Sequence, residues 1–337
     1  MVSAWLHRLR PKSGVTIAVA VAVARAASLV AAAYFDNSLW LPSEGVGLFE
    51  HPGILAIVVG DAVLFLLCVY ASRMTRSVGR RLPTHRRPVV QRYFRLIILR
   101  GIFGRGGSFG KMLLFLSVVG AVSLVNQTVR LTDAVAYYGH DTFDSILHRG
   151  SFWVMRVNLF ISWCVIVPLF ASYLVAHTRA IRLFFRKCDE HGLVKFQPGH
   201  PDQHGGFTFF GWLDTIYAIG LLVALIEVFL LIITHSRVTV GNLFSLMAIT
   251  VGVVLISVLS IYEVVRVVRR QERLLKMASF VRTGRGSRHL SLDYLTLVYN
   301  AKFSPYSTTA LRLAVALRAA ALIPIAIRAV MYITSEL

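Results

Sequence analysis

Acidic residues are scarce in this chain. Sixteen Asp and Glu stand against 36 Lys and Arg, and charged residues of both signs make up only 15% of the 337 positions. A soluble globular domain carries about 25% charge, so an ordinary water-exposed surface is excluded. Cysteine is equally sparse. Cys68, Cys164 and Cys188 are too few and too dispersed for a disulfide framework, and Cys68 and Cys164 lie in apolar runs, where a small buried thiol is the default reading. Familiar chemical motifs are missing as well. There is no His-Glu-x-x-His and no pair of Cys hooks. The stretch GRGGSFGKM fails as a phosphate-binding loop: Arg105 stands where the first Gly is required, and Met112 where Ser or Thr should follow the Lys. No nucleic-acid motif accompanies the formal charge of +20, so nucleic acid is not an expected partner.

What the chain has in abundance is apolar residues. They form 56% of it, with a mean hydropathy of +0.66, and they come in long blocks. About 20 apolar residues at 1.5 Å rise each cross a bilayer, where only helices and closed barrels satisfy the backbone. The blocks are too continuous for the alternating strands of a barrel. The expected fold is therefore all-α, a polytopic transmembrane bundle with spans at about 15–34, 54–72, 112–129, 152–176, 212–234 and 243–263. The first block is longer than a signal-peptide core of about 7–15 residues and carries Arg25, so it is read as an uncleaved span.

The connections alternate in charge. Residues 35–53 contain three acids and no Lys or Arg, whereas residues 71–111 contain ten Arg and one Lys. Basic connections stay on the cytoplasmic side. Segments 73–111, 177–211 and 264–305 are thus expected inside, with the N-terminus, in a bacterial inner membrane. Anionic lipid head groups are the expected partners of these basic segments, and a homo-oligomer is the expected assembly. Trp40, Trp153 and Trp212 lie near span ends, as interfacial anchors do. The C-terminal helix, about 308–333, is interrupted by Arg312, Arg318, Arg328 and Pro324. It reads as an interfacial or bundle-packed helix, with a seventh span as the alternative.

A polar island, QPGHPDQHGGF at 197–207, precedes the fifth span. Cys188, His191, His200, Asp202 and His204 are all metal-ligand types within 17 residues, which makes a divalent metal a candidate cofactor, although the spacing matches no zinc pattern. The local alternative is a hinge and cap. Pro201 holds His200 extended, Asp202 can bond its own downstream backbone, and Gly205 and Gly206 permit positive φ. Thr208 is a candidate cap for the fifth span, with Asp214 near its positive end. Catalysis by the island is the third reading.

The run His200-Pro201-Asp202-Gln203-His204-Gly205-Gly206-Phe207 resembles the His-Pro-Asp-x-x-Gly-Gly-(Leu/Phe) signature of a family of uncharacterised bacterial integral membrane proteins. There the signature follows an amphipathic basic segment and precedes a transmembrane helix. The family usually reads Pro-Thr-His-Pro-Asp, where this chain has Pro198-Gly199-His200-Pro201-Asp202. His204 falls at a variable position of the motif. The resemblance implies no activity; it points to His200, Asp202, Gly205 and Gly206 as the working part of the island.

Ionisable side chains inside spans cost about 2.5–3.5 kcal/mol each and face a partner or a wet cavity. Arg25 and Asp61 lie at matching depth in the first and second spans, and Arg156 and Glu227 at matching depth in the fourth and fifth. Two ion pairs are expected, with Arg130 adding charge at the outer end of the third span. Such pairs either fix helix register or line a polar path, and Arg25, Arg130 and Arg156 would favour anions in it. The expected function is movement of a small solute, an anion among the candidates. A membrane enzyme with a cytoplasmic His/Asp site and a non-catalytic scaffold or sensor are the alternatives.

Overall fold

The computed structural model describes residues 11–39, 53–82, 87–103, 108–129, 148–198, 204–235, 262–278 and 308–320, with Leu48, Thr84, Asp202 and a few single positions between 296 and 330. Every element among them is a helix. In chain order they are α1 (Pro11–Phe35), α2 (Gly53–Arg81), α3 (Arg87–Tyr93), a π-helical turn Phe94–Leu99, α4 (Arg100–Phe103) and α5 (Ser108–Val129). They continue with α6 (Gly150–Ile161), a second π turn Ser162–Ile166, α7 (Val167–Glu190) and α8 (Thr208–His235). The last two are α9 (residues 262–278) and α10 (Thr308–Ala320).

Among the described residues, four helices are long and apolar enough to cross a membrane: Lys12–Phe35, Gly53–Ser77, Gly150–Glu190 and Thr208–Glu227. Six were expected. The third expected span falls in α5, whose qualifying apolar stretch, Phe109–Val122, is shorter. The sixth lies almost wholly outside the described residues. Valines 19, 21, 23 and 30 of α1 and Leu114, Phe115, Val118, Val122 and Val125 of α5 are exposed. An apolar exterior of this kind fits lipid better than water.

Helices do not end where hydropathy does. α2 runs nine residues past Ser72, and Gly150–Glu190 is one helix of 41 residues through the π turn. The segments expected as cytoplasmic connections therefore begin as helix. α7 explains why. Ile181, Phe184, Phe185 and Cys188 are buried on one face, while Arg186 and Lys187 point outward. An apolar stripe of this spacing keeps a helix packed after it leaves an apolar run. α9 docks on that extension through Arg270–Asp189 at 2.6 Å and Arg182–Glu263 at 3.3 Å, with Val264, Val267 and Val268 buried beneath.

α2 is central, packed against α1 and α8 and touching α7; α7 packs on α5, and α10 on α8. α10 is held by Arg318, which donates to Asp214 at 2.6 Å. Arg318, which counted against a simple span, is the residue that ties α10 to α8. Trp153 and Trp212 are exposed, as anchors should be, and Trp40 lies outside the described residues.

Candidate functional site

Arg25 of α1 reaches into the bundle and is buried. Its Nη1 donates to Asp61 Oδ2 of α2 at 2.6 Å, Nε to Asn158 Oδ1 at 2.8 Å, and Nη2 to the Asn158 carbonyl and Ser162 Oγ, both at 2.9 Å. Ser162 Oγ in turn donates to Asp61 Oδ2. A buried guanidinium needs this many acceptors, because leaving charge unpaired in a low-dielectric interior is expensive. Two local features make room. Ser162 opens the second π turn, a helix irregularity that often accompanies functional sites. Gly120 of α5 lies so close to the Trp163 carbonyl that a Cβ there would collide with it. α5 thereby approaches the widened turn from behind.

Glu227 of α8 faces the same cluster. Its carboxylate rests on Gly60, the residue before Asp61, where an added Cβ would overlap Oε1. It is 2% exposed, and among the described residues neither oxygen has a hydrogen-bond partner; Asp61 Oδ1 is likewise buried and without a partner among them. Arg156 is not its partner. The Arg156 guanidinium carbon sits 5.0 Å from the centroid of the Phe152 ring, a cation–π contact, and among the described residues its Nε and Nη1 have no hydrogen-bond partner. The structure thus brings Arg25, Asp61 and Glu227 together and leaves Arg156 apart. Arg130 lies outside the described residues.

A second polar cluster went unforeseen. His177 of α7, fully buried, contacts Thr75 Oγ1 through Nε2 and the Tyr217 hydroxyl through Nδ1, and its ring stacks on Tyr173 at 5.6 Å. Thr75 donates its own hydrogen to the Ala71 carbonyl at 2.7 Å. The imidazole then donates from Nε2, and in its neutral form Nδ1 is left to accept the Tyr217 hydroxyl hydrogen. The signal available in the sequence was Tyr173 and His177 at i, i+4, which share a helix face; both Thr75 and His177 lie just beyond the ends of the apolar runs. Also overlooked was Gly106-Gly107-Ser108-Phe109-Gly110, which has Gly-x-Ser-x-Gly spacing. A nucleophile elbow needs a strand before the Ser, whereas Ser108 is the first residue of α5.

The island acts locally. Asp202 Oδ1 accepts the backbone N–H groups of His204 (2.9 Å) and Gly206 (3.0 Å), and Oδ2 accepts the N–H (3.3 Å) and hydroxyl (2.8 Å) of Thr208, the first residue of α8. Gly205 and Gly206 have φ of +64° and +91°, which only glycine adopts without strain. Burial alone would push the Asp202 carboxyl up. The donors from Gly206, Thr208 and His204 together outweigh it and hold it at about 2. That sets the sign of its pH dependence: stabilisation is full above the ordinary value of 3.8 and fades as pH falls toward about 2. Asp202→Asn should therefore lower stability by about 1–2 kcal/mol at pH 7. Thermal unfolding of parent and variant should converge as pH falls to about 2 and below.

The expected metal ligands are dispersed. Cys188 is fully buried in the core, His191 stacks on Tyr93 at 5.5 Å, and His204 Nδ1 donates to the Ser304 carbonyl at 2.8 Å. His200 and Pro201 lie outside the described residues. Among the described residues no three His, Cys, Asp or Glu side chains converge as a metal site. Comparison of the chain with protein-family models, with curated proteins and with solved structures found no match.

Proposed function

We propose that this chain is an inner-membrane protein that moves a small solute past the Arg25–Asp61–Glu227 cluster, with the basic segments on the cytoplasmic side. The observation that carries this reading is the buried Glu227 carboxylate, which among the described residues has no hydrogen-bond partner, beside an ion pair whose guanidinium is already committed. Ionisable groups are retained at such depth where they serve a path or a ligand. The arrangement speaks against the anion expected from composition. Four contacts from Arg25 are already committed to Asp61, Asn158 and Ser162, so it offers an anion little. The unsatisfied atoms here are carboxylate oxygens, which take a proton or a small cation. Asp202 holds four donors in place, which leaves the island a structural role rather than that of an enzyme site.

Purified protein in liposomes tests this by light scattering after osmotic challenge with potassium salts, ammonium salts and neutral polyols. Flux of at least one of these above empty vesicles is expected. It should fall at least about tenfold, near 1.4 kcal/mol in barrier terms, when Arg25→Met and Asp61→Leu are combined. No protein-dependent flux of any of them, or flux indifferent to that double change, would refute the reading.

A further inference from the structure

We propose that Glu227 is a proton-binding site, and that the ion moved or coupled through this cluster is a proton. The inference rests on the transport reading only in its second half; the binding site stands on geometry alone.

One guanidinium, Arg25, faces two carboxylates, Asp61 and Glu227, and lies within electrostatic reach of both. With both carboxylates ionised the cluster carries one uncompensated negative charge. A charge inside an apolar bundle is removed by pairing or by protonation. Asp61 is the paired one. Its Oδ2 takes hydrogen bonds from Arg25 and Ser162. Among the described residues Glu227 has no hydrogen-bond donor and no ion pair, and both of its oxygens are buried. Binding one proton converts it to a neutral acid and brings the cluster to zero net charge. The acid then has an O–H to donate, and Asp61, within electrostatic reach, keeps Oδ1 buried and without a hydrogen-bond partner among the described residues.

The fold is shaped for this group. Gly60 gives the carboxyl its place, since any larger residue would occupy the position of Oε1. The groups that face Glu227 can be named from each neighbouring element: Arg25 from α1 and Asp61 from α2. Of the other titratable groups on α8 whose side chains are described, Asp214 is bound to Arg318 of α10 and Tyr217 to His177 of α7, both toward its N-terminal end. Between the two ends the Phe170 ring and Leu67 lie against Gly220, an apolar layer that separates the clusters in this conformation.

Infrared spectroscopy of the full-length protein in detergent tests the site without any transport assay. At pH 7 a protonated-carboxyl C=O band that shifts in heavy water is expected. It should be lost in Glu227→Gln and kept, displaced in frequency, in Glu227→Asp. Absence of the band, or its persistence in Glu227→Gln, would overturn the proposal. Loss of the band on adding sodium chloride at constant pH, but not choline chloride, would also overturn it by making sodium the ligand. A second arm uses vesicles loaded with a pH-sensitive dye under a potassium diffusion potential. Protein-dependent acidification should fall at least about tenfold in Glu227→Gln. A Glu227-dependent band with no acidification would keep the binding site and reject the transport reading.

Discussion

Changing Arg25 to Gln should destabilise the protein by about 3–5 kcal/mol, the range for removing one partner of a buried ion pair. The physical reason is asymmetry. Arg25 supplies the only cation within hydrogen-bonding distance of Asp61 among the described residues, and its loss leaves a buried carboxylate with only the Ser162 hydroxyl. The Asn158 side-chain oxygen loses the Arg25 donor at the same time, and the Asn158 carbonyl keeps only Ser162. Replacing both charges, Arg25→Met with Asp61→Leu, should recover most of the loss, because an apolar pair of similar volume has no desolvation penalty to offset. Denaturant or thermal unfolding in detergent of Arg25→Met, of Asp61→Leu and of the two combined closes the cycle. Additive losses, with no recovery in the double variant, would mean that the pair does not act as a unit. The same double variant is the one in which solute flux should fail. Retained stability with lost flux would therefore separate the chemical role of these residues from their structural one.

Gly205→Ala should be the second large effect, at about 2–5 kcal/mol, since two costs add. A φ of +64° costs a residue with a Cβ about 1–2 kcal/mol, and the new methyl would land in the Phe196 ring, an overpacking cost of about 1–3 kcal/mol. Phe196 cannot easily move away, since it is fully buried and stacked on Phe207 at 6.2 Å. Gly192 is the matched control. Its φ of +58° is similar, but a methyl group added there would meet nothing within 4 Å, so Gly192→Ala should show the backbone cost alone. Equal melting shifts for the two variants would show that the Phe196 contact contributes nothing.

These two sites also show which parts of the molecule could be read from residues alone. The island was legible because it is local: Asp202, Gly205, Gly206 and Thr208 interact within a few positions, and turn chemistry follows from residue type. The Arg25–Asp61 contact was legible because depth along a span is a single coordinate that counting supplies. The same counting joined Arg156 to Glu227 and missed, since contact also needs the right rotation about each helix axis. That rotation was decided by packing. Gly60 admits the Glu227 carboxylate against α2, while Arg156 turns to Phe152. His177 escaped for a related reason. It sits one residue past an apolar run, and nothing local says that Thr75 and Tyr217 will meet it.

By itself the chain determined its helical class, its apolar blocks and the scarcity of buried charge, because backbone satisfaction and transfer free energy depend on composition and length. Only the tertiary structure decided which charges meet, which carboxylate is left without a partner, and how far each helix continues past its apolar run. Those depend on close approach between faces of different helices, where a single glycine or one widened turn sets the azimuth of every side chain beyond it.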